Sequence, residues 1–111
     1  MGYKRKTMDT LTEPEHKFEQ AMIALYQTAI DECNYRATRF LQMVLEHGGL
    51  ATARTLLATN IPSEGFTRLW ECRRLDLTLE AQILRPEFTE LFTEEQKATA
   101  AQRLKEYGYQ F

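Results

Sequence analysis

Few side chains in this chain could do chemistry, and their spacing decides what each could do. His16 and His47 lie far apart, and neither has a partner at metal-ligand spacing. HExxH, CxxC and Asp-rich loops are all missing, so no metal is expected. His47, between Glu46 and Gly48-Gly49, could act as a general base. A cation at the negative end of a helix dipole explains it more simply. Ser63, the only serine, lacks the glycine-framed elbow of a nucleophile and suits a helix cap. Cys72 precedes Arg73-Arg74, which could hold its thiolate, but no base is placed beside it. Cys33 and Cys72 are far apart in a chain without a secretion signal. They are therefore expected as reduced thiols buried as small hydrophobes, with a disulfide the lesser alternative. Gly48-Gly49 lacks the phosphate-cradle contexts GxGxxG and GxxxxGK[ST], and reads as a helix stop. No catalytic, metal or cofactor-binding residues are expected.

Charge patterning leaves one feature to carry forward. The net charge is −2, yet residues 34–75 hold six arginines against three glutamates. Guanidinium forks bind phosphate and carboxylate bidentately and stack on aromatic rings. The candidate binding residues are Arg36, Arg39, Arg54, Arg73 and Arg74, with His47. The competing expectation is that these arginines pair with acids of the first and last helices and tie the domain together.

The elements that must position these residues are helices. Thr12-Glu13-Pro14-Glu15 has the form of a capping box. Phe18, Ala21, Met22, Leu25, Tyr26, Ala29, Ile30 and Cys33 then recur at three and four, one apolar face ending near Asn34. A second helix is expected from Tyr35 or Arg36 to His47, burying Phe40, Leu41, Val44 and Leu45. A third is expected from Leu50 to Ala58, with Ala51, Thr52, Arg54 and Thr55 on its open side. That pair resembles a helix-turn-helix corner, although the acidic whole-chain charge argues against DNA. Asn60 to Gly65 is a loop, and Ser63 caps a fourth helix carrying Phe66, Leu69 and Trp70. A break at Leu75–Thr78 precedes a fifth helix, Leu79 to Leu84. Pro86 opens one more turn, with Phe88, Leu91 and Phe92 inward. Thr93-Glu94-Glu95-Gln96 caps the last helix, whose narrow stripe is Ala98, Ala101 and Leu104 and whose stop is Gly108. Strand periodicity is nearly absent, and Val44 is the only valine.

From Ala37 to Tyr109 the chain resembles a family of small bacterial all-α proteins without a known activity. The resembling residues are Ala37-Thr38-Arg39-Phe40-Leu41, Gly48-Gly49-Leu50-Ala51-Thr52-Ala53, and Leu56-Leu57. They continue with Gly65-Phe66-Thr67, Leu69-Trp70-Glu71, Arg74-Leu75-Asp76-Leu77-Thr78 and Glu80-Ala81. Pro86-Glu87-Phe88, Leu91-Phe92-Thr93 and Arg103-Leu104 to Tyr109 complete them. The chain departs from the pattern at Cys72-Arg73, where a glycine-bearing turn is expected. The resemblance implies a fold and brings no function.

Together these readings predict an all-α, irregular bundle of five to seven helices in a single domain. Residues 1–11 form a frayed segment and 12–111 the helical domain. The first helix is expected to pack on the last, with Trp70, Phe66, Phe40 and Phe88 as large core residues. No apolar run approaches the ~20 residues of a spanning helix, so no membrane partner is expected and the cytoplasm is the expected location. The leading function is a non-enzymatic protein-interaction module or accessory subunit, with a protein partner or self-association. The alternative is nucleic-acid binding through the arginine-rich middle. An enzyme using His47 or Cys72 ranks last.

Overall fold

The computed structural model describes residues 11–111. All but Leu11 of the segment expected to fray lie outside them. Six α-helices and two 3-10 turns, and no strand, occur among the described residues. They are α1 (Glu13–Cys33), α2 (Thr38–His47), α3 (Gly49–Leu57), α4 (Glu64–Glu71), α5 (Leu79–Ile83) and α6 (Glu94–Glu106). The 3-10 turns are Leu75–Leu77, before α5, and Pro86–Leu91, after it. The all-α irregular bundle is therefore the fold.

Local chemistry sets the helix ends. At the start of α1, Thr12 Oγ1 accepts from the Glu15 N–H and Glu15 Oε1 from the Thr12 N–H, closing the capping box. At its end Asn34 takes the left-handed conformation, φ 52°. Thr93 with Gln96, Ser63 and Thr78 cap α6, α4 and α5. Between α2 and α3 the two glycines do different work. Gly48 holds a φ of 92°, which a side chain resists. Gly49 lies so close to α1 that an added Cβ would sit 3.0 Å from Glu19 Cα. The Gly49 N–H donates to buried Glu19 Oε1 at 2.9 Å, which locks the corner onto α1.

The main core is Phe18 and Met22 of α1 with Val44, Ala53, Leu57, Leu79, Ile83, Phe88, Phe92 and Ala100. Phe18 meets Phe88 and Phe92 edge-on, with centroids 5.1 and 5.3 Å apart. A smaller cluster joins Phe66, Leu75 and Leu104.

Several expectations need correction. The first helix packs chiefly on α2 and α3, while α6 packs on α5 and α3, because the glycine corner brings α3 against α1. Trp70 is 43% exposed and lies edge-on to Tyr107, on the flank of the smaller cluster; Phe40 is half-buried. Leu45 is exposed, since Val44 takes the central place on α2. Thr52, expected on the open side of α3, is buried because that short helix is covered by α1 and α6 as well as α2. On α6 the inward residues are Ala100, Arg103 and Leu104, with Ala98 exposed. Arg103 enters the core because Glu80 waits there.

Cys33 and Cys72 are joined in a disulfide, which corrects the expectation of two reduced thiols. Asn34 turns the chain at the end of α1, and α4 ends at Cys72, so both cysteines sit at helix ends that meet. Among the described residues no helix is long and apolar enough to cross a membrane.

Candidate binding cleft

Between α1, α2 and α4 lies an open cleft of about 380 Å³. Leu25 and Ala29 of α1 form one wall, Phe40 and Met43 of α2 a second, and Phe66 and Leu69 of α4 a third. Leu77 and Leu79 close the floor beside Thr78 and Glu80. The volume and the apolar lining suit a bound apolar group. The third wall, α4, packs chiefly on the 3-10 turn Leu75–Leu77. Its Cys72 is bonded to Cys33, and Phe66 rests edge-on against Tyr107 with centroids 5.0 Å apart.

Tyr26, Tyr35, Arg39, Thr55, Thr59, Ser63 and Glu64 add polar groups to the lining. Arg68 stands over the Tyr35 ring at 4.6 Å, a cation–π contact. Partial burial, then the Glu64 carboxylate, push the Tyr35 hydroxyl above its usual pKa, with Arg68 opposing. Arg36 donates to the Tyr26 hydroxyl at 3.4 Å. Arg39 is exposed and makes no ion pair or hydrogen bond with any described residue.

The other sequence candidates lie elsewhere. Arg54 and His47 share a second depression, with Glu15 and Glu19. Arg54 donates to the Leu91 carbonyl at 3.1 Å, and His47 Nε2 is 3.8 Å from Glu46. Arg74 is consumed by Glu32 of α1 at 2.6 Å and Asp76 at 3.0 Å, pairing that holds its guanidinium above its ordinary pKa. Arg73 follows the disulfide with a φ of 64°. Of the six candidates, then, Arg36 and Arg39 are at the cleft, His47 and Arg54 meet at a different hollow, and Arg73 and Arg74 adjoin Cys72.

Cys72 is in the disulfide and has no thiolate to offer. His47 does not line the cleft. No group of three or more His, Cys, Asp or Glu able to hold a metal occurs among the described residues.

Sequence reasoning missed the polar knot beside the floor. Arg103 donates to Glu80 Oε2 at 3.1 Å, to the Leu56 carbonyl at 3.1 Å and to the Thr59 carbonyl at 2.5 Å. Glu80 and Arg103 are 2% and 6% exposed. Burial raises the Glu80 pKa against the opposing pull of Arg103. The one signal available was Glu80 itself, a lone acid between Leu79 and Ala81 in a short apolar helix.

The described residues thus form an all-α fold with a largely apolar cleft flanked by Arg36, Arg39 and Arg68. No family model, curated protein or solved structure matches the chain.

Proposed function

We propose that this protein is a non-enzymatic protein-interaction module that receives an apolar segment of a partner protein in the cleft between α1, α2 and α4. The observation that carries this is the cleft itself: an apolar, half-buried surface with tyrosines, phenylalanine and methionine, and no nucleophile–base pair on its walls. Aromatic and methionine side chains dominate interface anchors, because they bury large areas at low entropic cost. The resemblance of residues 37–109 to small bacterial all-α proteins belongs to the same proposal and adds no activity. Nucleic-acid binding is the weaker reading, since Arg74 is neutralised by carboxylates and Arg54 faces another hollow.

Titrating the ¹⁵N-labelled chain with an amphipathic peptide of leucine and phenylalanine anchors on a glutamine-rich background tests the reading. Shifts should concentrate on α1, α2 and α4 around Leu25, Phe40 and Leu69. Shifts confined to other faces, or self-association of the chain through the cleft without peptide, would overturn it.

A cytoplasmic location sits with free thiols, and the Cys33–Cys72 bond sits with an oxidising compartment. Alkylating the chain inside its own cells before extraction decides: modified cysteines support the cytoplasm.

A further inference from the structure

The arginines among the described residues fall into two sets. Arg74, Arg85 and Arg103 are each paired with a carboxylate: Glu32 and Asp76, Glu87, and Glu80. Arg36, Arg39, Arg54, Arg68 and Arg73 make no ion pair with a described residue. Three of these five stand around the cleft. Arg39 lines it, Arg36 bonds to Tyr26 of its wall, and Arg68 lies over Tyr35 of its rim. Among the described residues that line the cleft the carboxylates are Glu64 at the rim and Glu80 at the floor, and Glu80 already carries Arg103. The mouth is therefore net positive on a chain whose overall charge is −2.

We infer that the cleft selects an acidic amphipathic segment, one whose apolar side chains enter the cleft while its carboxylates pair with Arg39 and Arg36. This rests on the proposed interaction function and adds the charge of the partner. An incoming carboxylate can replace water on an exposed guanidinium with two parallel charge-assisted hydrogen bonds, which a neutral side chain cannot match. Tyr35, fixed by Arg68, gives that acid a third polar neighbour at the rim. The duplex backbone offers charge of the same sign, but no apolar group to fill the hollow, and so fits the surface less well.

Three versions of one labelled peptide, with the same leucine and phenylalanine anchors and flanks of glutamate, glutamine or lysine, test this by fluorescence anisotropy on the full chain. The glutamate form is expected to bind at least about tenfold more tightly than the glutamine form at low salt, with the gap shrinking as salt rises. The lysine form should bind worst. Arg39→Gln should remove most of the glutamate advantage, weakening the glutamate peptide far more than the glutamine peptide. Arg54→Gln, in the other depression, should change neither. Equal binding of the glutamate and glutamine forms overturns the acidic preference and leaves the interaction function standing. Binding of none overturns both. A single-stranded oligonucleotide that displaces the glutamate peptide from Arg39 overturns the preference in favour of nucleic acid.

Discussion

The region where α5 meets α6 and the region where α2 faces α4 treat their arginines in opposite ways. In the first, Arg103 is sunk into the core and its hydrogen bonds are spent on Glu80 and two backbone carbonyls. In the second, Arg39 stands exposed beside an apolar hollow with no partner among the described residues. A buried charge without partners costs several kcal/mol, so the first region has to be closed and complete. An exposed guanidinium costs little, so the second can stay open for something else.

The comparison can be broken most directly at Arg103. Arg103→Ala strands Glu80 and should lower unfolding free energy by about 3–5 kcal/mol. Replacing both Glu80 and Arg103 with methionine should restore most of it in urea unfolding. Equal losses in the single and double variants would show that the pair does not organise this region.

Next in size is the bridge that holds α4 to α1. Converting Cys33 and Cys72 to serine together should cost about 2–4 kcal/mol, because the unfolded chain loses a cross-link spanning 39 residues. Amide exchange should rise in α4 before it rises in α6. Trp70→Ala follows, at about 1–3 kcal/mol, since it loses the covered part of the ring as well as the edge-on pair with Tyr107. Global unfolding by that variant would contradict the placement of Trp70.

Proton linkage gives two of the arginine-paired acids opposite signs. Asp76 is held below the usual carboxylate range by its hydrogen bond from Arg74. It contributes stability that is present above the ordinary aspartate pKa and lost as pH falls through the depressed one. Glu80 is raised by burial, so its contribution runs the other way. Stability falls as pH rises from the ordinary glutamate pKa through the raised one. Asp76→Asn should flatten the acid limb of a urea-midpoint profile, and Glu80→Gln should remove the decline above it. Smallest of all, Arg39→Gln should alter stability by no more than about 0.5 kcal/mol, as expected for an exposed side chain without an ion pair or hydrogen bond to a described residue.

The helices were legible because their signals are local. Thr12 with Glu15, Thr93 with Gln96, Ser63 and Asn34 each announce a helix end within a few residues, and each takes that part in the fold. What joins distant segments was not legible. The Gly48-Gly49 corner reads as a stop, but nothing in its neighbours says that α1 presses against Gly49. The burial of Arg103 depends on Glu80, which precedes it by 23 positions. Cys33 and Cys72 looked solitary because their meeting depends on how α4 returns past the end of α1. At the cleft, arginine content was visible in the sequence. The division into paired and unpaired arginines was not, since it is decided by which acids fold beside them.

The bond between Cys33 and Cys72 also changes what a protease would accomplish. It closes a covalent ring that contains α2, α3 and α4. Ile61, 72% exposed in the link between α3 and α4, is the natural place for a cut inside that ring. Such a nick leaves a two-chain molecule still held together by its sulfurs. It would migrate as one species on a non-reducing gel and part into two fragments only after thiol treatment.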